Sequence, residues 1–282
     1  MSVALALLTS NPNLLRCELQ RLEEQVSLEV EGSANAIGVG TYAQEEVLLE
    51  RFASMEGRRL SALAPRYESE ALLVHAARLP LGLAAEENTQ PFRARHWLFA
   101  HAGRVPELTR VRPVLLERVP VHLRRLILGG TDSELVFALF LTRLRETGHM
   151  DDPRLEAQRA AEVLRATAQE VDEVAAAAGA TRPAELNLVA TNGSLLVATR
   201  WGAAPLSYAR LEGTDSCEAC GLSAATPGTQ AAREAHRRRL AVAVATHPRR
   251  SQGWVELPHG TTLVVDEHLQ VRHLAPPQGP PK

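Results

Sequence analysis

The order in which apolar patterning changes along the chain limits the folds open to it. Runs that read as strands occupy both ends, and helical runs occupy the middle. Residues 3–8, Val-Ala-Leu-Ala-Leu-Leu, form a short buried strand near the start. Asn11-Pro12 then opens a helix with Leu14, Leu15, Leu19 and Leu22 at helical spacing. A strand pair is expected at 37–42 and 46–52, and further strands at 71–76 and 96–101. The helical block is read as one helix over 121–128, a stronger one over 133–146 and a long Ala-rich one over 155–178. Asp132 or Thr131 caps the second, and the third closes near Gly179. Strands resume at 185–191 and 194–201 around an Asn192-Gly193 turn, then at 206–211, 240–245, 253–256 and 261–265. The interval 212–235, rich in Gly, Ser, Thr and Ala, is expected to contain a surface loop. This strand, helix, strand order specifies an α+β domain with mainly antiparallel sheets rather than a parallel βαβ fold. One domain over 1–273 and a flexible Pro/Gly-rich tail over 274–282 are expected.

Composition removes several classes of function. The formal net charge is −2, which argues against a nucleic-acid binder relying on bulk charge. The local cluster Arg237-Arg238-Arg239 is read as solvated surface. No stretch approaches the roughly 20 apolar residues that cross a bilayer, so no membrane insertion is expected. The opening MSVALALLTSNP lacks the positive leading segment and long apolar run of a signal peptide. Three cysteines make no disulfide framework, and a cytoplasmic location is the default expectation. No internal repeat or phosphate loop is evident, and Gly38-Val-Gly40 is too little for a dinucleotide fingerprint.

Cys217-Glu-Ala-Cys220 is a lone C-x-x-C pair. Zinc would need two further ligands, for which His236 or His247 could be proposed. The favoured reading is a flexible loop carrying two thiols, with no metal and no other cofactor. Cys17 is read as a small buried hydrophobe on the first helix.

Several segments, in order, resemble a class II glutamine amidotransferase domain of the N-terminal nucleophile hydrolase type. The apolar strand begins at residue 2. Asn88-Thr-Gln-Pro-Phe92 is similar to the family's Asn-Thr-His-Pro-Phe, and Trp97-Leu-Phe-Ala-His-Ala-Gly103 to its strand ending in His-Asn-Gly. Gly130-Thr-Asp-Ser-Glu134 looks like its Thr-Asp-Ser-Glu helix start, and 186–200 like its hairpin ending in Ala-Thr-Arg. Val242-Ala-Val-Ala-Thr-His-Pro248, followed by Trp254, looks like its closing strand pair. The resemblance implies a four-layer αββα sandwich: two stacked sheets flanked by helices.

It also implies a chemistry, hydrolysis of glutamine to glutamate and ammonia, against which the residues can be tested. The family's nucleophile is a cysteine after the initiator methionine; this chain has Ser2. A thiol is partly ionised near neutral pH and a hydroxyl is not, although the freed α-amine can serve a serine as base. The family's oxyanion hole uses an Asn-Gly pair; here it is Ala102-Gly103, so only the backbone donor of Gly103 survives. Aligned with the family's His-x-Arg motif, His75 matches the His and Ala77 takes the place of the carboxylate-binding Arg. Arg78 lies one residue later and could rescue the contact only through a bulge in the strand. Asp132 matches the aspartate that holds the substrate amino group, yet an Asp beside a helix start also suits the helix itself. The resemblance thus implies a scaffold without its glutaminase equipment, which acts by binding a protein partner or larger assembly, or a small amino-acid-like ligand. Residues for such a ligand are Asp132, His75, Arg78, Asn88, Thr89, His101 and Gly103. The alternative is a serine-dependent N-terminal nucleophile amidohydrolase using Ser2.

Overall fold

The computed structural model describes residues 2–44, 46–54, 59–65, 68–83, 86–223 and 228–276. Its first part contributes β1 (Ser2–Thr9), α1 (Leu15–Leu22), the hairpin β2 (Ala36–Ala43) and β3 (Glu46–Phe52), then β4 (Ala71–Ala77), β5 (Phe92–Ala94) and β6 (Trp97–Arg104). The helical block is α2 (Leu108–Arg118), α3 (Val121–Arg124), α4 (Asp132–Glu146) and α5 (Ala157–Ala177). Next come β7 (Glu185–Thr191), β8 (Leu196–Trp201) and β9 (Ser207–Leu211). The last part holds α6 (Gln230–Arg238), β10 (Ala241–Ala245), β11 (Val255–Glu256), β12 (Thr262–Val265) and β13 (Val271–Leu274).

Two antiparallel sheets result. One has seven strands in the order β11-β9-β10-β1-β4-β2-β3, and the other has six, β13-β12-β8-β7-β6-β5. Side chains alternate along each strand, so each sheet has two apolar faces to cover. On β1, Val3, Leu5 and Leu7 point outward to Leu15, Leu19 and Leu22 of α1. Ala4, Ala6 and Leu8 point inward, where they meet Leu98, Ala100 and Ala102 of β6. The outer face of the second sheet carries Trp97, Phe99 and Leu186 against α4 and α5, with Phe99 stacked on Phe137 and Phe140. The layers are therefore helix, sheet, sheet, helix, and β1 lies in the middle of the first sheet.

The inner face of β2 is Ala36, Gly38, Gly40 and Tyr42. A Cβ on Gly38 would stand 2.3 Å from the Gln90 carbonyl oxygen, and one on Gly40 would stand 2.6 Å from a Leu98 methyl. These glycines let the two sheets approach over the cleft end of the sandwich. Tyr42 then fastens the layers, its hydroxyl lying 2.8 Å from the Thr191 carbonyl and 3.0 Å from that of His96.

Several expectations needed correction. The single helix over 121–128 ends at Arg124, because the amides of Leu128 and Gly129 turn to the Glu134 carboxylate instead. Helix α2 was not anticipated; Pro113 sits inside it, and its buried side chains are only Val111 and Leu115. Of the two caps expected for α4, Thr131 is the N-cap. The hairpin loop runs through 192–195, held by Asn192 Oδ1 accepting from the amides of Ser194 and Leu195, so β8 starts at Leu196. Strands β5 and β13 were also missed, and β13 takes in residue 274 of the expected tail. Residues 277–282 of that tail lie outside the described residues. The interval 212–235 runs into helix α6, which Thr229 caps by accepting from the Ala232 amide at 3.1 Å. Its polar sequence buries one face only at His236 and nearby alanines, which left little periodic signal. Arg239 is not solvated surface: it is 2% exposed and 3.1 Å from the fully buried Glu18 carboxylate. Among the described residues, no helix is long and apolar enough to cross a membrane.

The glycine contact yields a test. Gly38→Ala is expected to destabilise the fold by about 1–3 kcal/mol, as overpacking does, because the atom in the way is backbone. An alanine at the open Gly82 provides the control. Urea midpoints of the two variants measure the difference.

Candidate functional site

Ser2 begins β1 directly opposite Ala77 of β4, and the register runs without a bulge from that pair to Leu8↔Ala71. By strand alternation Ser2 shares the inner face with Ala4 and Ala6. His75 and Ala77 share the inner face of β4 with Ala71 and Leu73. Ala102 is buried on the inner face of β6, beside Ala100. The three positions where the resemblance calls for a thiol, a guanidinium and an amide therefore share the face between the sheets. They carry a hydroxyl and two methyl groups.

The regular register keeps Arg78 beyond the end of β4. Its side chain is exposed and lies over Gly32, and Nη1 donates to the Ser33 carbonyl at 3.4 Å. The bulge that would turn Arg78 toward the Ser2 face is absent.

The remaining motif residues satisfy backbone groups. Asn88 donates to the Leu83 carbonyl at 3.0 Å and accepts from the Gly130 amide at 3.1 Å. Thr89 is buried beside it. Glu134 accepts from the amides of Leu128 at 2.9 Å and Gly129 at 2.7 Å, and closes a capping box with Thr131. Asp132 accepts from the Val105 amide at 2.8 Å, which pins the chain just after β6 to the start of α4. Gly103 is required by close approach: a Cβ there would fall 1.8 Å from the Glu185 carbonyl.

His101 points away from the cleft, into the helix layer. Its Nε2 lies 3.2 Å from the Glu185 carbonyl, an acceptor, so that nitrogen carries the proton. Nδ1 then accepts from the Ser133 hydroxyl at 3.0 Å. The backbone of His101 lies beyond the short strand β5 and is paired by a side chain instead. Gln90 Oε1 accepts from the His101 amide at 2.7 Å, and Gln90 Nε2 donates to its carbonyl at 3.1 Å.

The same Gln90 nitrogen lies 3.4 Å from His75 Nε2, linking the two sheets. His75 Nε2 is thus the acceptor, which leaves the proton on Nδ1, buried and without a partner. Burial first, and the nearby His101 second, pull His75 down to about 3 from its ordinary value near 6.5. Asn187 stands on the inner face opposite Ala102. It donates to the Pro205 carbonyl at 2.9 Å, and its Oδ1 is buried and unpaired. The sequence offered no signal for the roles of Gln90 or Asn187, since each depends on a neighbour distant along the chain. Cys217 and Cys220 lie outside this cleft; Cys217 packs in a separate small cluster with Leu14, Cys17 and Leu222.

Two outcomes follow. His75 binds its proton in the unfolded chain near pH 6.5 but in the folded one only near pH 3. Its stability contribution is therefore complete above about pH 6.5 and is lost as pH falls toward 3. Within that window, unfolding free energy should fall with acidification less steeply in His75→Gln than in the parent, by up to about 1.4 kcal/mol per pH unit. Urea titrations of both chains at several pH values measure this. Glu134→Ala strands the backbone amides of Leu128, Gly129 and Thr131 and should cost about 1.5–3 kcal/mol, read as a lower urea midpoint with an unchanged slope.

Comparison with known proteins agrees with this architecture. The family model described as "Glutamine amidotransferases class-II" matches residues 27–279. A curated relative, "Probable glutamine amidotransferase DUG3" of Saccharomyces cerevisiae, is 25% identical over 232 residues, which is 77% of this chain and 62% of that protein. The chain thus spans about three fifths of that relative's length. A glutamine aminotransferase class-II domain protein from Silicibacter pomeroyi superposes with a TM-score of 0.59 at 20% identity, covering 97% of this chain and 98% of the other. A predicted glutamine amidotransferase from Pseudomonas aeruginosa gives 0.55 at 16%, with 96% and 98% covered. Glutamine phosphoribosylpyrophosphate amidotransferase of B. subtilis gives 0.57 at 12%, covering 97% of this chain but 49% of that one. These structures share the stacked-sheet fold of N-terminal nucleophile amidotransferases, and the family match extends over most of the sequence: the chain belongs to the class II glutamine amidotransferases.

Proposed function

We propose that this chain is a member of its family that does not hydrolyse glutamine and acts by binding, either to a protein partner or to a small amino-acid-like ligand. The observation that carries the reading is the meeting of Ser2, Ala77 and Ala102 on one face. Attack on an amide builds negative charge on the carbonyl oxygen, and one missing oxyanion donor typically costs about 10² to 10³ in rate. Ala102 has no such donor, Ala77 has no cation for a substrate carboxylate, and the Ser2 hydroxyl is a weaker nucleophile than a thiolate. Asp132 is already engaged by the Val105 amide.

Two features support binding. The buried Nδ1 of His75 and Oδ1 of Asn187 offer a donor and an acceptor that the chain leaves unused. On the outside, Val121, Leu126 and Leu128 are exposed apolar residues. Leu126 and Leu128 line a cleft of about 480 Å³ that Arg93, Arg125 and Phe137 also line, a surface suited to a protein partner.

The test is ammonia release from glutamine by purified chain whose N-terminus has been established by intact mass. No release above background is expected, and Ser2→Cys alone should not restore it, because the amide and the guanidinium are still missing. Robust hydrolysis abolished by Ser2→Ala would overturn the reading. So would a covalent adduct on a free Ser2 from an activated acyl probe, which would establish the serine-dependent amidohydrolase instead. Native mass spectrometry separates a stoichiometric protein partner from a retained metabolite.

A further inference from the structure

Outside the cleft, the fold gathers four metal-ligand side chains from three distant segments. Cys17 lies on α1, Cys217 precedes and Cys220 ends the turn at Glu218–Cys220, and His236 lies on α6. Their sulfur and ring nitrogen atoms all fall within 4.8 Å of one another, with Cys17 Sγ 3.3 Å from Cys220 Sγ. Cys17, Cys217 and His236 are buried, and Cys220 reaches solvent. His247, the other histidine considered as a ligand, follows the far end of β10 and meets Thr246 instead.

Local structure prepares each ligand. Cys217 and Leu222 exchange both backbone hydrogen bonds at 2.9 Å, and Gly221 takes φ 65° to reverse the chain between them. That tight turn holds the two thiols of the C-x-x-C pair close together. His236 Nδ1 donates to the Ala232 carbonyl at 2.8 Å, which fixes the ring and its tautomer. The Nε2 atom is left free to accept, and it is buried with no partner in a residue only 2% exposed. Metal-binding histidines are ordinarily held this way, one nitrogen bonded to a carbonyl and the other to the ion.

We propose that Cys17, Cys217, Cys220 and His236 Nε2 form a structural zinc site. Three sulfurs and one imidazole nitrogen are a recurrent zinc set. Zinc bonds of about 2.3 Å to sulfur and about 2.0 Å to nitrogen, at tetrahedral angles, separate the ligand atoms by roughly 3.5–3.8 Å. The spacing here brackets that range, so small side-chain shifts complete the site. All four positions are filled by protein, which leaves no place for substrate and makes the ion a staple rather than a catalyst. On binding, the three thiols release their protons to solvent and the cluster carries one net negative charge. The ion would fasten α6 and the 217–222 turn to α1, the helix that covers the outer face of β1. This site is independent of whether the cleft is catalytic.

The test uses the full untagged chain purified from zinc-containing medium, with metal content measured by plasma mass spectrometry and thiol state by non-reducing intact mass. One zinc per chain and three unoxidised cysteines are expected. Cobalt(II) added to the reduced, metal-stripped chain should give the intense visible bands of tetrahedral thiolate coordination. Cys220→Ser, at the exposed ligand, and His236→Gln should each weaken zinc binding beyond the roughly 10- to 100-fold that losing a hydrogen bond to a ligand costs. A chelator should lower the melting temperature of the parent but not of a folded variant. The proposal is overturned by a reduced chain that takes up neither ion, or by a disulfide among these cysteines in a chain without metal. Undiminished zinc binding in both variants would equally refute it.

Discussion

At Gly38 the backbone of the first sheet meets the Gln90 carbonyl so closely that no β-carbon fits between them. Most of the cleft follows from that contact. Gln90 stays in place because its side-chain amide pairs with the backbone of His101, doing the work of a neighbouring strand beyond the end of β5. The same amide reaches His75 across the gap, so one residue joins β4 to β6. Two stacked sheets would ordinarily lie about 10 Å apart with side chains filling the space. Here Ala4, Ala6, Ala100 and Ala102 face one another across part of it, and Leu8, Leu73, Leu98 and Val189 supply the larger filling around them. A region lined this way is shaped by backbone as much as by side chains, so even one added methyl group at Gly38 would push the layers apart.

Buried polar groups outside the cleft obey a different constraint. Glu18 and Arg239 are both buried, and each removes the uncompensated charge that the other would leave. Glu134 is likewise buried, but its neutralisation is by backbone amides at the positive end of α4. Removing any one partner leaves the other stranded, and for that reason these residues tolerate change poorly although none of them faces the cleft.

Much of the fold could be read from the sequence, for a definable reason. Wherever the apolar period was strong and local, as in β1, the β2–β3 pair, α4 and the β7–β8 hairpin, the expected element forms within a residue or two. Local signals failed where tertiary partners decide the structure. Helix α2 tolerates Pro113 because Val111 and Leu115 anchor it on the core, and the peptide after α3 turns because Glu134 captures it. The Thr131-x-x-Glu134 spacing is a capping-box pattern, but that pattern accounts for the Thr131 amide and not for the capture of Leu128 and Gly129. The convergence of Cys17 with Cys217, Cys220 and His236 was not legible, because some 200 residues separate Cys17 from the others and only the packing of α1 against the 217–222 turn brings them together. At the cleft, the correspondence of Ser2, Ala77 and Ala102 with the family pattern was legible by counting. Their common orientation depended on an unbroken β1–β4 register that the sequence leaves open.

That orientation separates the motif residues by what they hold. Asn88, Thr131, Asp132 and Glu134 bond amides or carbonyls of the chain itself, and Gly103 makes room for one. Each of these matches the family pattern. Ser2, Ala77 and Ala102 depart from it, and all three face the gap between the sheets, where the side chains the pattern calls for would bond substrate rather than protein. A residue with a backbone group to satisfy is kept by folding whether or not any chemistry occurs, whereas one that serves only substrate is kept by turnover alone. Gln90 stands outside this division, since it replaces the pattern's His and yet bonds the His101 backbone; the survival of Asp132 is still no argument for glutamine binding. The Val105 amide, 2.8 Å from its carboxylate, is sufficient reason for an aspartate at that position.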